Sequence, residues 1–225
     1  MLKKMEYLFE SDRFAPFKHP FTCVIAGSTG SGKTYFLTNA LLHSDVTFTR
    51  PIERLVYCYG TYLTDTFEQL RTRFPRIELI DGIDSTLEFN PATNNVLVID
   101  DLMSDAVKSS VICDYFTKGS HHKNLSVILL TQNIFQKGTC GTTININAHY
   151  TVYFKNPRNS QQIGYLARQM YRGKSNALIE AYEDCVTRPH GYIFIDYRQD
   201  TDDKLRLKTN VLPTDPPPVA VYVPK

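Results

Sequence analysis

The chain has 225 residues, of which 42% are hydrophobic, 21% charged and 12% aromatic, with no tryptophan. This composition excludes a disordered, collagen-like or coiled-coil polymer; a globular domain of this size buries about 70% of its unfolded surface and needs no staples to fold. Lys and Arg number 25 against 23 Asp and Glu, a formal charge of +2, so any contact with DNA must come from a local basic loop and not from a global field.

Short apolar, β-rich runs alternate with stretches of helical period, the pattern of a mostly parallel sheet covered by helices on both faces. In chain order, strands are predicted over Phe21–Ala26, Arg54–Tyr59, Asn95–Asp100, Leu125–Thr131, His149–Phe154 and Gly191–Asp196. Several are apolar at consecutive positions, as central strands are. Helices are predicted between them, over Lys33–His43, over Thr64–Arg73, and over Asp105–Phe116 behind the N-cap residue Ser104. Two more follow: one after Pro157, with Ile163, Leu166, Ala167 and Met170 on one face, and one over Ser175–Cys185. Gly173 separates these two as a C-cap or hinge.

No internal linker is visible, so one α/β domain over residues 19–212 is expected, with a lead-in over 1–18 and an extended Pro-rich tail over 213–225 that holds Pro216, Pro217 and Pro218. The five cysteines (Cys23, Cys58, Cys113, Cys140, Cys185) lack a CxxC pair, which suits neither zinc nor a disulfide framework and points to a reducing compartment. With no apolar run near the length of a membrane span and charges at Lys3, Lys4, Glu6, Glu10, Asp12 and Arg13, neither a signal peptide nor a membrane segment is expected, and the chain reads as intracellular.

Directly after the first of these strands, Gly27-Ser28-Thr29-Gly30-Ser31-Gly32-Lys33-Thr34 fits the pattern GxxxxGK(S/T), and a helix follows at once. Glycines let the backbone turn tightly, so that successive N–H groups converge on phosphates, and the helix N-terminus adds its positive dipole end. In this reading ATP binds across Gly27–Thr34, Lys33 reaches the β- and γ-phosphates, and the Thr34 hydroxyl binds Mg²⁺. The four fixed positions would match by chance in about one chain in a hundred of this length. The signal is strong.

Two further strand ends complete the reading. Val96-Leu97-Val98-Ile99-Asp100-Asp101 is an apolar strand closing on two carboxylates. Asp100 is the candidate Mg²⁺ ligand, and Asp101 the candidate catalytic acid/base for an attacking water. On its own the pair equally fits the start of a solvated loop. Ser126-Val127-Ile128-Leu129-Leu130-Thr131-Gln132-Asn133 is a buried strand ending in polar residues. If it lies between the other two strands, Gln132 points at the γ-phosphate as sensor or water-positioning group.

These elements, in this order, resemble the FtsK–HerA branch of P-loop ATPases, and within it the compact packaging ATPases of double-stranded DNA viruses, of the poxvirus type also carried by Polinton elements and adintovirus-like viruses. The resemblance is carried by His19-Pro20-Phe21 before the phosphate loop, by Asp100-Asp101, and by the run Lys118 to Asn124 ahead of Thr131-Gln132-Asn133. Further matches are Asn147-Ala148-His149-Tyr150, Phe154-Lys155-Asn156-Pro157-Arg158 and Leu166 to Tyr171. It spans His19 to Leu212, and its motifs are specific as a set.

The resemblance implies ATP-driven packaging of duplex viral DNA into a capsid. It implies a homo-oligomeric ring, a pentamer or hexamer, with active sites between subunits, acting in the host nucleus or cytoplasm beside a capsid protein. It also implies a central strand order of 5-1-4-3-2. One departure stands out: the arginine finger usual before the fourth strand is missing, which leaves Lys118, Lys123 or Arg158 as trans-acting candidates. Lysine lacks the planar fork of arginine.

Weaker readings remain beside these. Arg168, Arg172, Lys174 and Arg188 suit a DNA channel or a solvated face. Tyr57, Tyr59 and Tyr62 suit base stacking or core packing. Adjacent His121 and His122 make a poor zinc site and a better phosphate-contacting loop. A nucleotide or nucleoside kinase would share the loop but need an Arg-rich lid, and a non-hydrolysing ATP-binding scaffold would share it without turnover.

Overall fold

The computed structural model describes residues 2–7, 16–102, 110–119, 123–135, 139–159, 161–216 and 219–224. The strands are β1 (Leu2–Tyr7), β2 (Thr22–Ala26), β3 (Arg54–Tyr59), β4 (Glu78–Asp81), β5 (Asn95–Asp100), β6 (Leu125–Thr131), β7 (Tyr150–Phe154), β8 (Tyr192–Asp196), β9 (Leu207–Thr209) and β10 (Val219–Pro224). The α-helices are α1 (Lys33–Leu42), α2 (Ser44–Thr47), α3 (Thr64–Arg73), α4 (Ser110–Asp114), α5 (Thr139–Ile146), α6 (Gln161–Met170) and α7 (Asn176–Cys185). A π-helical turn, Tyr115–Gly119, continues α4. Residues 103–109, where the predicted third helix begins, lie outside the described ones.

All ten strands form one sheet in the order β1-β10-β9-β8-β7-β2-β6-β5-β3-β4. Its middle, β7-β2-β6-β5-β3, is the expected order 5-1-4-3-2 when strands are counted from the one before the phosphate loop and the edge strand β4 is left out. These strands and β4 run parallel, while β8, β9, β10 and β1 extend the sheet antiparallel from β7. Every residue of β2, β5, β6 and β7 is buried, which explains their unbroken apolar runs.

Side chains alternate across the sheet and divide the core in two. Cys23 and Ile25 of β2, with Tyr57, Val98 and Leu130, pack under Phe36 and Leu37 of α1 and Phe67 and Leu70 of α3. Val24 and Ala26, with Leu97, Leu129 and Tyr153, pack under Ile163 and Leu166 of α6 and Leu178 and Ala181 of α7.

Residues 219–224 are not the extended tail expected from the prolines. Val219, Ala220, Val221 and Tyr222 are buried in β10, which pairs with β9 on one side and with β1, inside the expected lead-in, on the other. Burying a large apolar side chain yields about 1.5–3 kcal/mol, enough to offset roughly 1–2 kcal/mol of backbone entropy per residue. The run Val-Ala-Val-Tyr-Val therefore outweighs its proline neighbours.

The disulfide expectation also needs correction. Cys113 of α4 and Cys140 of α5 are joined, while Cys23, Cys58 and Cys185 are free and buried. The two bonded residues are 27 positions apart, and only the packing of α5 against α4 brings them together, so spacing carried no sign of the pair. Among the described residues no helix is long and apolar enough to cross a membrane, and no three His, Cys, Asp or Glu side chains gather as a metal site. His121 and His122 lie outside the described residues.

Candidate active site

The phosphate loop leaves the C-terminal end of β2 and runs straight into α1. At its start Gly27 N–H donates to Thr131 O (3.2 Å), which ties the loop to the tip of β6. A Cβ on Gly27 would sit 2.6 Å from Phe154 Cβ and 2.7 Å from Ser31 Oγ. Only glycine fits. Ser31 N–H donates to Ser28 O (3.1 Å), Gly32 takes φ +108°, and Phe36 N–H donates to Gly32 O (2.9 Å) as the first turn of α1. No side chain caps that turn and it carries no acidic residue, so its N–H groups and dipole suit an anion.

Lys33 lies across this loop and donates from Nζ to Gly27 O (2.9 Å) and Ser28 O (3.0 Å). Burial lowers its pKa below the ordinary lysine value, against the opposing pull of Asp100 and Asp101. Asp100, in turn, has its carboxyl raised, first by burial, with Asp101 adding to the rise and Tyr57 and Lys33 opposing it. The two effects are reciprocal, and the ammonium and both carboxylates share one electrostatic site.

Asp100 ends β5 and is buried, and its Oδ2 accepts a 2.7 Å hydrogen bond from the Tyr57 hydroxyl. Tyr57 is fully buried on β3, and its ring leans along the strand to reach a carboxylate whose register partner is Tyr59. Base stacking is therefore closed to Tyr57. Asp101, one residue on, is exposed and held at φ +55°, a left-handed conformation that Asp tolerates better than most residues. Gly60 makes room for this turn, since a Cβ there would meet Asp101 O at 2.7 Å.

Gln132 follows β6 and is exposed, and its carbonyl accepts from Asn156 Nδ2 (3.3 Å). Beyond it, Gln162 of α6 accepts from Ile134 N–H (3.1 Å) and donates to Asn133 Oδ1 (3.1 Å). The segment after β6 is thus clamped by two amide side chains that sequence reasoning did not assign to the site. Because β6 lies between β2 and β5, Gln132 stands between the loop and the carboxylates. With strands about 4.8 Å apart, the loop and Asp100 face each other across roughly 10 Å at one sheet edge.

The residues fit ATP and Mg²⁺. Ser31 Oγ is buried in the loop without a hydrogen-bond partner among the described residues, which leaves one hydroxyl for a phosphate oxygen. Thr34 and Asp100 make the hard-oxygen donor set that Mg²⁺ prefers.

No protein-family model and no curated protein matches this chain. Among solved structures it is similar to B204, the DNA-packaging ATPase from Sulfolobus turreted icosahedral virus, with a TM-score of 0.52 and 13% identity over 79% of this chain and 93% of that one. It is also similar to the genome packaging NTPase B204 from Sulfolobus turreted icosahedral virus 2 in complex with AMPPCP, with a TM-score of 0.50 and 13% identity over 81% and 95% of the two chains. The fold is that of a P-loop NTPase.

In open α/β sheets ligands bind at the C-terminal edge of the strands, and the remaining candidates divide by that edge. Arg158 is exposed on a 3₁₀ turn, Pro157–Asn159, just past β7, near where Ser28 Oγ donates to Lys155 O (3.2 Å). Lys123 sits at the far end of β6, its Nζ 5.4 Å from the centre of the Tyr115 ring. The Lys118 side chain lies outside the description.

Arg168, Arg172, Lys174 and Arg188 are all exposed. Lys174 borders a cleft of about 1450 Å³ that also takes in Asn147, His149, Tyr171, Arg198 and Arg206. That cleft contains none of the phosphate loop, Asp100, Asp101 or Gln132. Volume alone would mislead here, because an anion cradle built of backbone N–H groups is an open surface.

Proposed function

We propose that this chain hydrolyses ATP with Mg²⁺ and uses the energy, as a ring of five or six copies, to drive double-stranded viral DNA into a capsid. One observation carries the reading: three neighbouring strands, β2, β6 and β5, end at the same edge in the phosphate loop, Gln132 and the Asp100–Asp101 pair. A nucleotide complex of the similar B204 NTPase supports ATP as the ligand.

In this mechanism the loop's N–H groups and the α1 N-terminus bind the triphosphate, and Lys33 exchanges the Gly27 and Ser28 carbonyls for β- and γ-phosphate oxygens. Thr34 and Asp100 would hold Mg²⁺, which supplies neutralisation of the phosphate charge when bound. Asp101 takes a proton from water as its oxygen bonds to the γ-phosphorus and the bond from that phosphorus to the β–γ bridging oxygen breaks. Gln132 orients that water and passes the presence of the γ-phosphate through Asn156 and Gln162 to the loop after β7 and to α6. A cation from the next subunit, drawn from Lys118, Lys123 or Arg158, completes the charge stabilisation, a role worth about 10³–10⁵ in rate when arginine fills it. Arg168, Arg172, Lys174 and Arg188 contact the DNA backbone, which needs charge but no sequence code.

The test is the ATPase rate with and without duplex DNA, measured together with the mass of the nucleotide-bound assembly. DNA stimulation in a ring of several copies is expected, with turnover abolished in Lys33→Ala. Turnover by a monomer that DNA leaves unchanged would remove the motor, and phosphorylation of a small acceptor would replace the reading with a kinase.

A further inference from the structure

The turn between α7 and β8 touches the phosphate loop through one side chain. His190 Nδ1 lies 3.2 Å from Ser31 O. A carbonyl oxygen only accepts, so Nδ1 carries the proton and donates. The approach is close, since a Cβ on Gly32 would lie 3.3 Å from both His190 Cβ and His190 Nδ1.

The turn that presents His190 is braced. His190 is held at φ +60°, and the neighbouring Gly191 donates its N–H to Arg188 O (3.1 Å). A Cβ on Gly191 would collide with Cys185 O at 2.1 Å, which seats the turn on the end of α7. That helix is anchored to the same sheet edge: Tyr182 OH donates to Phe154 O (3.3 Å) and accepts from Asn156 N–H (3.2 Å).

We infer that His190 is a positioning residue of the phosphate loop, its Nδ1–H holding the Ser31 carbonyl so that the Gly32 N–H stays aimed at the bound phosphates. In a planar trans peptide the carbonyl and the N–H point in opposite directions. Fixing Ser31 O on the outer side of the loop therefore turns Gly32 N–H to the inner side. The latch matters at this peptide because Gly32, at φ +108°, has the freedom to let the plane rotate. Donation to the carbonyl also polarises the peptide and strengthens its N–H as a donor. This inference rests on the nucleotide reading above.

Two variants test it. His190→Gly removes the ring and accepts the positive φ without strain, so folding is protected; His190→Asn keeps a donor near the Nδ1 position and tolerates the same backbone. The latch serves ground state and transition state alike, so His190→Gly should raise KM for ATP about three- to tenfold with kcat nearly unchanged, the span of one modest hydrogen bond. His190→Asn should restore KM.

The Gly32 amide resonance in the nucleotide-free protein should shift in His190→Gly and return in His190→Asn, a readout independent of turnover. Wild-type KM in both variants with an unmoved Gly32 resonance would overturn the latch and leave the nucleotide reading intact, as would equal impairment of the two variants. Failure of the wild-type protein to bind ATP would strike the nucleotide reading itself.

Discussion

Tyr57 on β3 and Asp100 on β5 are joined by a 2.7 Å hydrogen bond from the phenol to the carboxylate, which fixes the candidate metal ligand at the tip of β5, across β6 from the phosphate loop. The phenol engages one carboxylate oxygen, and in the proposed site the other would face Mg²⁺. Groups in this position typically change metal affinity 10–100-fold when removed. Tyr57→Phe should therefore raise the Mg²⁺ needed for half-maximal turnover by about 10–100-fold. The fold should survive, because the ring still packs edge-on against Phe67 at 5.2 Å. An unchanged Mg²⁺ titration would remove Tyr57 from the site.

In the proposed site Asp100 would trade stability for function. Burial raises its carboxyl above the ordinary 3.8. A raised acid contributes stability that is complete below the unfolded value and is lost as pH rises through the folded one. Ionised Asp100 therefore costs stability at neutral pH. Asp100→Asn, whose amide oxygen still accepts from Tyr57, should melt higher than wild type near neutrality, with the gap closing below about pH 4. Mg²⁺-dependent hydrolysis should be lost in the same variant. A lower melting temperature at neutral pH would refute the assignment.

Asp101→Asn separates chemistry from backbone. Asn tolerates the φ of +55° at this position, so the turn and ATP binding should persist. A carboxylate acting as general base contributes about 10²–10⁴-fold, and kcat should fall by that factor. Normal hydrolysis by Asp101→Asn would assign the base elsewhere.

His19 makes the fold pH-sensitive at the opposite end of the sheet. Its Nε2 is 3.1 Å from Asn124 Oδ1 and its Nδ1 is 2.7 Å from Ser126 Oγ, which itself accepts from Phe21 N–H (3.1 Å). Burial lowers its pKa below 6.5, the hydrogen bond to Asn124 opposing and Arg50 adding. A depressed value means stability that is full above pH 6.5 and lost as pH falls through the folded value. The unfolding temperature should fall as pH drops below about 6.5, and His19→Gln should flatten that step. The His19-Pro20-Phe21 motif thus acts through strand seating, remote from phosphate chemistry.

Much of this molecule was legible from local rules. β3, β5, β6 and α3 run over the predicted residues, because each is a continuous apolar or amphipathic segment whose period survives without knowledge of its neighbours. The strands β1, β4, β9 and β10 were not legible. β4 and β9 are short, β1 carries Lys3, Lys4 and Glu6 among its apolar residues, and β10 follows a run of prolines, so each becomes a strand only by pairing with an edge already formed. The Pro-rich stretch misled for the same reason, since its buried strand depends on β9 and β1 as partners.

Residues 27–34 determined the glycine turn of the candidate phosphate site by themselves, because a glycine turn between a strand and a helix is built from contiguous chain and its N–H groups converge wherever that segment goes. The apolar runs ending at Asp100 and Gln132 likewise announced strand tips that carry polar groups. Tertiary structure alone decided that those tips meet at one edge, that Tyr57 serves Asp100 in place of a base, and that Asn156, Gln162 and His190 hold the parts in place. Such contacts join residues far apart in the chain, and no local period records them; strand order and helix packing create them only when the sheet closes.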